Sequence, residues 1–161
     1  MDLLNRARDL YLAGRMHDAL EAAQAACDRA PKDSEAWWLL GCISRHTGLL
    51  AASDVAFRKA HELDSRFALP YRVPAARFAA LIEESRSALS AGVRHRLAPT
   101  LIRTQAMPTP EQVRQGVDPD ALSLRGPGPQ DVLTLFQVNH ENRSASEEAL
   151  QTLVSRSLAA V

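Results

Sequence analysis

The sequence predicts a mainly α-helical chain in which N-terminal helical hairpins are followed by a small α+β segment. Three observations lead there. Residues 1–34 and 35–68 align at a fixed offset, with small and apolar residues falling on one another. Hydrophobic residues make up 46% of the chain but aromatics only 5%, and Ala is abundant. That balance favours closely packed helices, because Ala is the best helix former while strands draw on aromatic and β-branched residues. After Gly92 the helical periodicity gives way to short strand-like runs between prolines and glycines.

The first hairpin is read from Leu3, Ala7, Leu10 and Gly14, then Ala19, Ala23 and Ala26. The second repeats it 34 positions on: Gly14 falls on Gly48, Ala19 on Ser53, Ala26 on Ala60 and Leu3 on Trp37. Trp37, Leu40, Gly41 and Ser44 share one helix face at i, i+3, i+4 and i+7. Gly41 is small where a partner helix must come close. Gly48 follows the helix and can take positive φ at its end. The return helix spans about Leu50 to Leu63, with Ser53, Phe57 and Ala60 inside. Pro31 ends the first repeat and Ser34 is the expected cap of the next helix.

A 34-residue helix–turn–helix period is the signature of tetratricopeptide repeats, and residues 1–66 resemble that family. Trp37, Leu40, Gly41, Gly48, Phe57 and Ala60 fit its pattern in the second repeat; Ala7 and Ala23 occupy the corresponding places in the first. The resemblance implies a polypeptide partner, held in a groove lined by the first helix of each pair. Carried over position by position, the groove residues are Leu4, Arg8 and Tyr11, then Trp38, Cys42 and Arg45, with Arg72 following on a third helix. Trp37 is expected in the core and Trp38 in the groove, since adjacent residues point about 100° apart. Asn5 matches one position of the family's carboxylate-clamp subset, but the other members are unmatched.

Solenoids need polar elements at their ends. Residues 67–92 are expected to provide a capping and linking helix, with Phe78, Leu81, Ile82, Ser85 and Leu89 as its stripe and Pro70 and Pro74 near its start.

Residues 93–161 form the α+β segment. A-P-T-L-I-R-T-Q at 98–105 reads as a short strand and D-V-L-T-L-F-Q-V at 131–138 as a better one. Between them, residues 107–130 hold five prolines and three glycines and read as loop. Residues 139–144 read as a polar connection. Ser146, Glu147 and Glu148 then open a helix with Leu150, Leu153, Val154 and Leu158 as its buried stripe. The order of F-A-A-L-I-E-E-S-R-S-A-L, the Pro-rich middle, V-L-T-L-F-Q-V-N and E-E-A-L-Q-T-L-V-S-R-S-L resembles the leading part of bacterial minimal zincin-like metallopeptidases. In that family the last helix carries H-E-x-x-H, two zinc ligands four apart with a Glu as base. Here the sequence ends at Ala159-Ala160-Val161, about where that motif begins. His140-Glu141-Asn142-Arg143-Ser144 starts like it but has Ser in the fifth place.

No two of His17, His46, His61, His95 and His140 lie at ligand spacing, and neither Cys27 nor Cys42 sits in a C-x-x-C pair. Asp131 with His140, or Glu83 with Glu84, are pairs that helix and loop surfaces offer freely. Neither a phosphate-binding Gly loop nor a nucleophile elbow occurs. The sequence therefore calls for no metal, no cofactor and no catalytic residue. With 19 basic and 19 acidic residues the net charge is zero, lacking the basic excess of a nucleic-acid surface. The opening M-D-L-L-N-R-A-R-D reads as no signal peptide, and no run approaches the roughly 18 apolar residues of a membrane span. A cytoplasmic location is expected. The 17 Arg against two Lys suggest a GC-rich bacterial genome. The leading expectation is a peptide-binding module; the rivals are a truncated or degenerate zincin-like enzyme carrying N-terminal repeats, and a subunit that associates with itself.

Overall fold

The computed structural model describes residues 2–126 and 130–161. In chain order the elements are α1 (Leu3–Leu12), α2 (Met16–Arg29), α3 (Ser34–His46), α4 (Leu50–Leu63), α5 (Ala75–Ala88), α6 (Ala91–Leu97), β1 (Leu101–Gln105), α7 (Pro110–Arg114), β2 (Ser123–Arg125), β3 (Val132–Phe136), α8 (Gln137–Asn142) and α9 (Glu147–Ala159). The chain is mainly α with a small α+β segment, as the sequence predicts. Among the described residues no helix is long and apolar enough to cross a membrane. The chain divides into two compact units. One joins the chain up to Leu69 with Pro108–Asp120; the other joins Pro70–Met107 with Ala121–Val161.

In the first unit α1 and α2, then α3 and α4, form antiparallel hairpins. The repeat is structural as well as sequential. α2 begins at Met16 and α4 at Leu50, 34 positions apart. The residues before them, Arg15 (φ −91°, ψ 71°) and Leu49 (φ −87°, ψ 70°), share one conformation. Gly14 at φ 77° and Gly48 at φ 78° make the two turns, a left-handed backbone that Gly adopts without steric cost. Asp2 and Asp33 cap α1 and α3: the Asp33 carboxylate accepts from the Glu35 and Ala36 N–H groups at 3.0 and 3.3 Å. The cap of α3 is thus Asp33, and Ser34, the expected cap, is its first helical residue. Asp has the stronger pull, because its charge also meets the positive helix end.

The core of this unit is small-residue packing around a few rings: Ala7, Ala19, Ala23, Ala26, Tyr11, Ile43 and Phe57. Gly41 lies against Phe57. A Cβ there would sit 2.7 Å from two of its ring carbons, so only Gly lets α3 and α4 approach this closely. Ser53 donates to the Gly41 carbonyl at 2.8 Å across the same contact. Trp37, expected in the core, is only half-buried at its edge; its indole N–H donates to the Pro31 carbonyl at 2.9 Å.

The second unit covers one face of a three-stranded mixed sheet with helices. Strand order is β1-β3-β2, with β1 parallel and β2 antiparallel to β3. Leu133 and Leu135 of β3 meet Phe78, Leu81 and Ile82 of α5 and Leu150, Val154 and Leu158 of α9. Ser146 caps α9 by accepting from Ala149 N–H at 3.1 Å, and Arg77 of α5 pairs with Glu147 in its first turn.

The stripe of α5 belongs to the core of this second unit, packed on α9. Three expectations change. Arg72 lies in the coil before α5, not on a third helix. Within 107–130 the described residues include α7 and β2 and bury Val113 to 1% exposure; Pro127, Gly128 and Pro129 lie outside the described residues. Residues 137–142 are the helix α8, whose Asn139, His140, Glu141 and Asn142 are all buried.

Candidate functional site

The first unit carries a cleft of about 320 Å³ lined by Arg8, Tyr11, Leu12, Glu35, Trp38, Leu39, Phe67, Asp118 and Asp120. Its floor is apolar. Trp38 packs on Phe57 at 4.8 Å between ring centroids and on Phe67 at 5.5 Å. Its rim is charged: Arg8 reaches Glu35 at 3.5 Å and donates to the Asn5 side-chain oxygen at 3.1 Å, while Asp118 and Asp120 add two carboxylates.

One wall is built by a distant part of the chain. Thr109 opens α7 with a reciprocal cap: its hydroxyl accepts from Gln112 N–H at 3.1 Å, and the Gln112 side chain accepts from Thr109 N–H at 2.9 Å. α7 lays Val113 into the apolar cluster of the first unit. The segment then runs on to Pro119 and Asp120. The Tyr11 hydroxyl donates to the Asp120 carboxylate at 2.6 Å, and His46 Nε2–H donates to the Pro119 carbonyl at 3.3 Å. The His46 and Tyr11 rings meet edge to face at 5.3 Å. Burial, with Cys42, Asp120 and Asp118 adding negative charge nearby, pushes the Tyr11 phenol well above its ordinary value. Tyr11 therefore stays a donor. Burial lowers His46, against a smaller opposing effect of the Pro119 carbonyl, so its neutral form is favoured.

Of the seven groove residues read from the sequence, Arg8, Tyr11 and Trp38 meet in this cleft. The others do not. Leu4 lines a separate hollow with Asp2, Leu3, Ala26, Arg29, Ala30 and Asp33. Cys42 is buried beneath the floor at 2% exposure. Arg45 turns away to α4, where it meets the Leu50 carbonyl at 3.4 Å and Asp54 at 3.3 Å. Arg72 belongs to the second unit, 3.3 Å from the buried Glu141 carboxylate. Sequence reasoning misses Leu12, Glu35, Leu39, Phe67, Asp118 and Asp120. The acidic pair is more than a hundred residues from α1, and no local periodicity connects them.

The second unit holds polar groups with structural partners. A carbonyl can only accept, so His140 Nδ1–H donates to the Phe136 carbonyl at 2.8 Å, and Nε2 accepts from the Ser157 hydroxyl at 2.8 Å. Burial lowers the imidazole to about 4. Glu141 accepts from Arg72, from Val73 N–H at 2.8 Å and from the Gln137 amide. Asp131 accepts from Thr100 and Arg125 and is held below the usual carboxylate range by both. Cys27 is a buried thiol pushed up to about 12, chiefly by burial, far from the nucleophilic thiolate form. Among the described residues no three His, Cys, Asp or Glu side chains converge for a metal ion. Comparison with protein-family models, with curated proteins and with solved structures finds no match for this chain.

Proposed function

We propose that the chain is a polypeptide-binding module of the tetratricopeptide type, acting through the cleft of its first unit and without catalytic chemistry of its own. The observation that carries this reading is the pair of hairpins repeating at 34 positions with matched glycine turns, Gly14 at φ 77° and Gly48 at φ 78°. The cleft supports it chemically. Aromatic rings and Arg are the groups most often found as binding anchors, and Trp38, Phe67 and Arg8 stand together there. The rival reading, a zincin-like enzyme, draws no support from His140 and Glu141, whose side chains are engaged in buried structural bonds.

Peptides selected from a random display library on the immobilised chain test the proposal. Leu12→Asp and Arg8→Glu change exposed cleft walls and leave helicity by circular dichroism unchanged. Each is expected to weaken the selected peptides at least ten-fold by fluorescence anisotropy. Peptides that bind both variants as tightly as the parent chain would reject the proposal.

A further inference from the structure

Residues 108–120 lie against the repeats of the first unit in the manner of a ligand, and Asp118 and Asp120 wall the cleft. Their flanks belong to the second unit: β1 ends at Gln105 and β2 begins at Ser123. The segment itself belongs to the first. Its contacts fall at separate points, near the C-terminal ends of α1 and α3 and at the turn between α1 and α2. Val113 enters the apolar cluster at 1% exposure. Pro110 and Arg114 come so close to Gly14 that a Cβ would lie 2.9 Å from the Pro110 carbonyl oxygen and 2.8 Å from Arg114 Cγ. The Pro119 carbonyl meets His46, and Asp120 takes the Tyr11 hydroxyl. Pro119 is itself buried. An apolar anchor, a buried proline and an aspartate are thus read by three different groups on α1, α3 and the turn between α1 and α2.

We infer that residues 108–120 are an internal ligand of the groove, and that the partner it takes in trans is an extended segment of the same chemistry. That segment carries an apolar anchor followed by an Asp-Pro-Asp element, and it must displace the chain's own copy. This rests on the reading of the first unit as a peptide-binding module. The recognition follows from the chemistry. Tyr11 is held as a donor by burial and so suits a carboxylate. His46, neutral, offers N–H to the backbone carbonyl of Pro119, a residue that is itself buried. The apolar cluster around Val113 takes a branched apolar side chain. An internal occupant also lowers the apparent affinity of any external one, in proportion to the fraction of molecules whose groove is open.

The test uses the full chain and a labelled synthetic peptide, P-T-P-E-Q-V-R-Q-G-V-D-P-D, the sequence of residues 108–120. Binding is followed by fluorescence anisotropy to the parent chain and to a Val113→Ser, Asp120→Asn chain whose internal copy is weakened. The variant is expected to bind the peptide at least ten-fold more tightly than the parent, and a peptide bearing the same two changes to bind it at least ten-fold more weakly. Equal affinity of parent and variant for the peptide overturns the inference. Should the variant lose its helical signal, hydrogen exchange of the parent chain decides the matter, with an isotope-labelled peptide in excess. Exchange is expected to speed up in the chain's own 108–120 and not in 34–63; unchanged exchange in 108–120 overturns it. If library-selected peptides bind parent and variant alike while the 108–120 peptide binds neither, this inference fails and the peptide-binding reading stands. If no peptide of either kind binds, both fail.

Discussion

Acidification from pH 7.5 to 4.5 should loosen the second unit chiefly through one side chain, His140. The imidazole is fully enclosed, with Phe78 at 5.7 Å between ring centroids, and both its nitrogens are used in the neutral form. Protonation would place a second N–H against the Ser157 hydroxyl and a charge in an apolar layer. Its pKa falls from 6.5 to about 4, first because of burial, with the Arg143 charge acting in the same direction and the Phe136 carbonyl opposing. A depressed histidine pKa means that the unfolded chain binds more protons than the folded one between those values. Stability is then complete above pH 6.5 and is lost as pH falls toward 4. At about 1.4 kcal/mol per pH unit the loss between pH 7.5 and 4.5 comes to roughly 2.5 kcal/mol. The lowered carboxylates Asp131 and Glu147 add to it at the acid edge, since they titrate from their ordinary values downward.

The assay is hydrogen exchange of fragments from β3 and α9 across this pH range, corrected for the intrinsic pH dependence of exchange. Opening free energies in the parent chain should fall by roughly 2.5 kcal/mol, while a His140→Gln chain, weaker at neutral pH, should show most of that slope removed. A proton NMR titration placing His140 near 6.5, or equal slopes in the two chains, would refute the reasoning.

Three further outcomes follow from the packing. Gly41→Ala should cost roughly 1–3 kcal/mol in thermal unfolding of the first unit, because its Cβ meets the Phe57 ring at 2.7 Å. Trp38→Ala should lower the melting temperature more than Trp37→Ala, since Trp38 packs on two rings and Trp37 is held at the edge by one hydrogen bond; the reverse order in thermal unfolding would contradict the structure. Arg72→Ala takes a cation from Glu141, whose side chain is only 4% exposed, and should cost roughly 3 kcal/mol of second-unit stability by hydrogen exchange.

The helical hairpins are legible in the sequence because their information is local: a helix period, two glycines that must turn left-handed, and small residues wherever helices cross. β3 is legible from V-L-T-L-F for the same reason. α8 is not, because Asn139, His140, Glu141 and Asn142 are polar and read as exposed. Each is buried, and their partners include Ala121 and Ser157, which no sequence window brings near. α7 is signalled by T-P-E-Q, a capping box with proline in the first turn, but the proline count of its neighbourhood outweighs it. Arg45 shows the limit of carrying a family's groove positions across. Helix phase puts it on the right face, yet Asp54 and the Leu50 carbonyl draw its long side chain to α4. The acidic wall of the cleft is unreadable, for it depends on how residues far apart in the chain come together.

The two glycine turns allow the docking of residues 108–120 to be measured without touching that segment. Gly14 and Gly48 share their backbone conformation, φ 77° and 78°, so an Ala at either one carries the same left-handed strain, roughly 1–2 kcal/mol. Their surroundings differ. Around Gly48 an added Cβ meets nothing within 4 Å; at Gly14 it collides with Arg114 Cγ at 2.8 Å and the Pro110 carbonyl oxygen at 2.9 Å. Arg114 can swing its side chain aside, but the backbone oxygen cannot move without lifting the start of α7. The strain cancels in the comparison, and what remains is the collision. Gly14→Ala should therefore unfold more readily than Gly48→Ala by roughly 1–3 kcal/mol, the usual range for overpacking a filled site. It should also raise hydrogen exchange in 108–120, which Gly48→Ala should leave unchanged. Equal destabilisation by the two substitutions would mean that α7 does not press on the first turn.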